Sequence, residues 1–261
     1  PVIKIILLLF AISCEQKTDW DIQPSGKFPV ADCIITNEMI QHDLRLYWSA
    51  GELNQTPEGI SGAVVQLSDG TTTLAFTEDP DMQGRYVSDV PFMASAGKTY
   101  RLTLSCEGLS DTAYATMTGV SPLETIDIAA SDGNYRVIYH ESIPASMTEV
   151  FYDWSADVQF CSQYGACTAQ EVFYSLDNLD IGKQFPPARQ VILFPHQTKI
   201  IRRKYSLNED HQRFIRSMLL ETEWCGGFFD TEKGNVPSNF HNGVHGWFAA
   251  CMVVTDTTFF E

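Results

Sequence analysis

Seven cysteines, six histidines and 33 carboxylates are the groups of this 261-residue chain with reactive or ligating side chains, and their spacing limits the chemistry. Cys33, Cys106, Cys161, Cys167, Cys225 and Cys251 include no CxxC pair and no neighbouring histidine cluster, which argues against a four-ligand zinc site. His241 and His245 are four apart, the spacing of a metal pair on a helix, but Asn242 and Gly243 between them favour a turn. Asp79, Asp81, Gln83 and Gly84 imitate the start of a calcium loop. The twelfth position, which needs a bidentate Glu, is Val90, so the stretch reads as a turn. Gly59-Ile60-Ser61-Gly62 lacks the spacing of a nucleophile elbow, and no HExxH or phosphate-binding glycine loop occurs. Glycoside hydrolysis needs two carboxylates brought together in space, which sequence spacing neither supplies nor forbids. No catalytic residue, metal ligand or cofactor is expected.

The seventh cysteine has a different setting. Lys4 precedes eight apolar residues, 5–12, and then come Ser13 and Cys14. That run is too short to span a bilayer as a helix and has the form of a secretory signal. Cys14 after Ala11-Ile12-Ser13 resembles a bacterial lipobox, so residues 1–13 are expected to be a lipoprotein signal peptide and Cys14 the lipidated residue. Stable anchoring takes two or more acyl chains. Export makes disulfides the natural use of the six remaining thiols. The expected set joins Cys161 to Cys167 across five residues that include a glycine, Cys33 to Cys106, and Cys225 to Cys251.

Removing thirteen residues from 261 leaves 248, enough for one large or two modest domains, and 44% hydrophobic content supports a folded core. The formal charge of −16 is uneven: residues 15–182 carry seven basic and 25 acidic side chains, residues 183–261 nine and eight. An acidic body of this kind argues against nucleic-acid binding, which needs cations to displace counterions.

The elements that must position these groups are mainly strands. Residues 14–28 lack periodicity and read as a tether. Residues 30–36, 43–49, 63–68, 72–77, 85–88, 99–106 and 112–117 alternate apolar and polar, with turn residues between them. Seven short strands over 29–118 predict an immunoglobulin-like or transthyretin-like β-sandwich. Residues 119–132 read as a linker. Residues 133–261 read as a second β-rich domain, with strands at 134–140, 150–160, 171–176 and 190–194, and a last strand over 247–254 that re-enters the core after an architectural, turn-rich stretch. One helix is expected near 207–223, opened by Ser206-Leu207-Asn208-Glu209 as a capping box. Arg202, Arg203 and Lys204 before it read as a solvated strand edge in preference to a patch for anionic lipid. The 31 aromatics (16 Phe, 10 Tyr and 5 Trp) belong mostly to cores. Tyr47, Trp48, Tyr152, Trp154 and Tyr164 are the first to inspect for stacking on a ligand.

A resemblance rests on the lipobox with its tether, SGAVVQLSDG (61–70), GRYVSD (84–89), GKTYRLTL (97–104), NYRVIYH (134–140), DNLDIGK (177–183) and, most specifically, NVPSNFHNGVHGWFAACMV (235–253). In order and extent these resemble the DUF4249 lipoproteins of Bacteroidota; the cysteines beyond Cys14 are not part of that pattern. The resemblance implies an outer-membrane-anchored, β-rich protein on the periplasmic or cell-surface face, similar in context to accessory lipoproteins of TonB-dependent transporters. It supplies no catalytic residues. The expected role is therefore a ligand-binding or accessory module for such a transporter. The alternatives are a structural or adhesive envelope protein without a soluble ligand and, behind both, a glycan-acting enzyme.

Overall fold

The computed structural model describes residues 26–51, 55–139, 145–177, 191–224 and 235–261; Cys14, Cys225 and tether residues 15–25 lie outside them. The described chain is mainly β, as expected. Its first seven strands are β1 (Pro29–Thr36), β2 (Asp43–Trp48), β3 (Val64–Ser68), β4 (Thr73–Glu78), β5 (Arg85–Ser88), β6 (Thr99–Cys106) and β7 (Leu109–Thr116). There follow β8 (Asp127–Ser131), β9 (Asn134–Ile138), β10 (Ser146–Asp153), the short helix α1 (Val158–Tyr164), β11 (Thr168–Ser175) and β12 (Thr198–Ser206). Helix α2 (Glu209–Glu221), β13 (His245–Cys251) and β14 (Val253–Phe260) complete the order.

Eight strands form one sheet in the order β13-β1-β2-β5-β4-β3-β6-β7, rolled until β7 and β13 lie side by side. Its alternation is legible: Ala31, Cys33 and Ile35 of β1 are buried in the roll with Leu44, Leu46, Leu102 and Leu104, while Val30, Asp32 and Ile34 face outward. A side chain of Leu size buried this way stabilises by roughly 1.5–3 kcal/mol. The eighth strand is contributed by the C-terminal half, where β13 pairs parallel with β1. It is covered on both faces, Phe248 and Ala250 toward the roll and Trp247, Ala249 and Cys251 outward under α2. Hence it reads as an unbroken apolar run.

The closing motif is the hinge of this arrangement. Asn239 Nδ2 donates to the carbonyls of Phe248 at 2.7 Å and Tyr114 at 3.3 Å, spanning both edges of the roll. Asp111 on β7 accepts from the backbone N–H groups of His241, Asn242 and Val244 at 3.1, 2.6 and 3.1 Å. Gly246, at φ +104°, brings the chain so close to β1 that a Cβ would sit 2.0 Å from the Ala31 carbonyl oxygen. No other residue type fits there.

A second sheet runs β11-β10-β12-β14, and β8 pairs with β9 as a separate ribbon. Several expectations are corrected here. Residues 127–131 are a strand and not linker; 158–160 belong to α1 and not to the preceding strand. Phe194 makes only an isolated bridge to Tyr135, and Gln190 lies outside the described residues. Helix α2 is capped by Asn208, whose side chain accepts from the His211 N–H at 2.9 Å. Ser206, expected to cap it, lies in β12 and bonds the Thr118 carbonyl and the Met252 N–H, each at 2.8 Å.

The basic triplet is not a solvated edge. Strand β12 is internal to its sheet, and the Lys204 side chain is fully buried, its Nζ donating to Ser121 Oγ, the Pro122 carbonyl and Glu124 Oε1. Arg202 pairs with Asp256 at 2.5 Å, and Arg203 pairs with Glu38 just beyond β1, tying the two sheets together.

Of the expected disulfides, the one joining Cys161 and Cys167 is present. Cys33 and Cys106 are both free and buried. In the hydrogen-bonded order β2, β5, β4 and β3 stand between their strands, and Cys33 is flanked in register by Leu44 and Phe248, so it fills the core as a small apolar residue. Cys251 is likewise a free buried thiol.

Candidate functional site

Helix α2 lies in the angle between the two sheets. Ile215 and Leu219 pack on Leu176, Leu207 and Trp224, with Met147 and Tyr174 of the smaller sheet alongside. Phe214 stacks on Trp247 of β13 at 4.7 Å between ring centroids, and His211 lies parallel to the same indole at 6.0 Å. Beyond this stack the helix and the large sheet part, leaving a cleft of about 810 Å³. Its floor is the outer face of β1 (Val30, Asp32 and Ile34), and one wall is α2 with Phe214 and Met218. Tyr47, Met147 and Tyr174 close the sides, and Phe28, tilted against His245 at 4.5 Å between ring centroids, marks the end nearest the tether.

Asp32 is the one acidic residue on this lining, and no Lys or Arg lines it among the described residues. In register it stands between Trp247 on β13 and Arg45 on β2. Its carboxylate is open to the cleft yet surrounded by protein. Desolvation raises its pKa, the field of Arg45 acts against that, and Asp43 adds to it. Tyr47 is also raised, first by burial and then by the Asp32 charge, which places the two within electrostatic reach. Trp247 is 7% exposed, and its indole N–H has no hydrogen-bond partner among the described residues.

Beneath the stack, Cys251 Sγ lies 3.7 Å from His211 Nδ1. Burial pushes the histidine down to about 4 and the thiol up to about 12, so both are neutral near pH 7. A cysteine nucleophile needs a thiolate, which this pair does not form.

Pro237, Ser238 and Trp247 also line a second, more polar cavity of about 890 Å³ on the other side of the indole, between Tyr114, Asn208 and Arg213. His241 lies there and His245 in the first cleft, so the two histidines do not converge. Asp79 and Asp81 form a tight turn, with Asp79 paired to Arg85 at 2.8 Å.

The sequence-selected aromatics divide. Tyr47 lines the cleft. Trp48 packs at the margin of the roll. Tyr152 is buried with its hydroxyl on Glu171, and Trp154 is buried with its N–H on the Ala166 carbonyl at 2.8 Å. Tyr164 packs edge-on to Trp154 beside the disulfide. Asp32, His211, Phe214 and Trp247 are not among the residues that the sequence points to for a ligand site. The local signal for Asp32 was there, a lone charge within the apolar strand PVADCIIT.

Residues 15–257 match the family described as Domain of unknown function (DUF4249). The chain belongs to that family. No curated protein matches the chain.

Proposed function

We propose that this DUF4249 protein is a ligand-binding module of the cell envelope, anchored to the outer membrane through a lipid on Cys14. On this reading it acts as an accessory to a TonB-dependent transporter and holds its ligand in the cleft beneath α2. The observation that carries the reading is Asp32. It is a carboxylate without an ion pair among the described residues, on an otherwise apolar floor that remains open beside a packed aromatic stack. Ligand sites combine apolar walls with a few convergent polar groups in this way. The lipobox-like stretch and the acidic residues after it support the anchor, and the family resemblance supports the transporter context.

Two measurements test it. Mass spectrometry of the intact protein from its native membranes is expected to find acyl groups on Cys14. Affinity capture with that lipidated protein is expected to recover an outer-membrane β-barrel. An unmodified thiol on a protein free of membranes, or recovery of soluble periplasmic proteins alone, defeats the anchored-accessory reading.

An adhesive role without a soluble ligand has its own observation. Met39, Ile40, Val90 and Met93 are exposed on adjoining turns at the far end of the roll, joined by the bridge between Ile40 and Phe92. Capture of a partner that depends on these four residues and not on the cleft would favour it. A glycan-acting enzyme finds less support, because a second carboxylate does not line the cleft among the described residues.

A further inference from the structure

We infer that the cleft, if it is the ligand seat proposed above, selects an organic cation carried on an apolar body, an aliphatic or aromatic amine. The argument is one of charge and desolvation. Phe214, Met218, Ile34 and Met147 offer apolar surface with no hydrogen-bonding demand, so the body of a ligand gains by displacing water from them. The head group must then lie near Asp32, the one acidic side chain on a lining that holds no Lys or Arg among the described residues. His211 is neutral, Tyr47 and Tyr174 are phenols, and Arg45 lies beyond the lining and makes no ion pair with Asp32.

A carboxylate or phosphate head would be set beside Asp32 with no Lys or Arg on the lining, among the described residues, to neutralise it. A neutral hydroxyl head gives the carboxylate an ordinary hydrogen bond but brings no charge to offset it. An ammonium supplies a charge-assisted hydrogen bond to Asp32. Tyr47, one pair along from Asp32 on the outer face of the sheet and within its electrostatic reach, adds cation–π attraction. The chain's charge of −16 favours the approach of a cation over an anion as well.

The test is calorimetric titration of the full chain with three probes sharing one body: 4-phenylbutylamine, 4-phenylbutanol and 4-phenylbutyrate. The amine is expected to bind about tenfold or more tightly than the alcohol, and the butyrate more weakly than either. Asp32→Asn, on an exposed position, is expected to abolish the preference for amine over alcohol while leaving alcohol affinity within about threefold. Phe214→Ala is expected to weaken all three probes together. Equal binding of amine and alcohol, preferred binding of butyrate, or a preference that survives Asp32→Asn overturns cation selection and leaves the cleft as a ligand seat. Failure of all three probes to bind overturns the ligand seat itself.

Discussion

Asn239 and Phe248 exchange two hydrogen bonds, side-chain Nδ2 to carbonyl at 2.7 Å and backbone N–H to Oδ1 at 2.9 Å, while the same amide reaches the Tyr114 carbonyl on the opposite edge. One side chain thus satisfies β13 and β7 at the seam where the roll would otherwise present two open edges. Asp111 does the same from the β7 side: burial works to raise its carboxyl, but its backbone N–H donors outweigh that and hold it below the ordinary range.

Replacing Asn239 with Ala leaves the Phe248 N–H and carbonyl unpaired, at a cost of about 2–3 kcal/mol. Asn239→Asp is expected to be at least as damaging, because it turns an acceptor toward the Phe248 and Tyr114 carbonyls. Urea unfolding of the two variants checks this. Equal stability of Asn239→Asp and the parent would mean that the seam is held by something else.

Lys204 and Glu124 make an asymmetric pair, since the lysine side chain is fully buried while the glutamate is 42% exposed. Removing the glutamate strands an ammonium in the interior with two neutral acceptors. Removing the lysine leaves a carboxylate that water can reach. Glu124→Gln is therefore expected to cost about 3 kcal/mol, and Lys204→Met, which keeps the stem's packing, about 1 kcal/mol. Matched equilibrium unfolding curves decide it. A larger loss for Lys204→Met would refute the asymmetry.

Much of the large sheet was legible because its strands are half-buried and alternate. A last strand is expected from Trp247 onward and is present, but its full burial and that of β12 break that rule. Strand β13 is apolar on both faces, and β12 carries three cations into an interior where their partners, Glu38, Glu124 and Asp256, come from distant parts of the chain. The helix is legible from its apolar spacing, but its cap is Asn208 and not the expected Ser206, which the path of β12 carries into the sheet. The cleft was not legible at all beyond one charge in an apolar strand. Its walls are brought together by the parallel pairing of β1 with β13, 215 positions apart at Asp32 and Trp247, which no local pattern encodes.

His211 gives the fold a pH dependence of definite sign. Its folded value is lowered from 6.5 to about 4 by burial, so protonation favours the unfolded chain. Its contribution is present above pH 6.5 and is lost as pH falls toward 4. Between pH 7 and pH 5 the loss amounts to about 2 kcal/mol for this one group. His211→Phe keeps a ring beside Phe214 and Trp247 but cannot titrate. Its stability is expected to fall less than the parent's over the same interval, and parallel losses in the two proteins would rule out the histidine as the source.

Cys33, Cys106 and Cys251 are expected to be inert while the chain is folded. Burial raises all three thiols, Cys33 well above its usual value and Cys251 to about 12, and the charges of Asp32 and Asp43 push Cys33 further. Alkylation requires both access and thiolate, and these positions offer neither. Iodoacetamide at pH 8, followed by peptide mapping, should leave the three unmodified in the native protein and label them together once urea unfolds it. The same map distinguishes the observed core from the disulfide expected on sequence grounds. A peptide linked through Cys33 and Cys106 would mean that β1 and β6 approach each other across the roll more closely than in this structure. Free thiols at both positions leave the core held by apolar packing and by the hydrogen-bonded seam at Asn239 and Asp111.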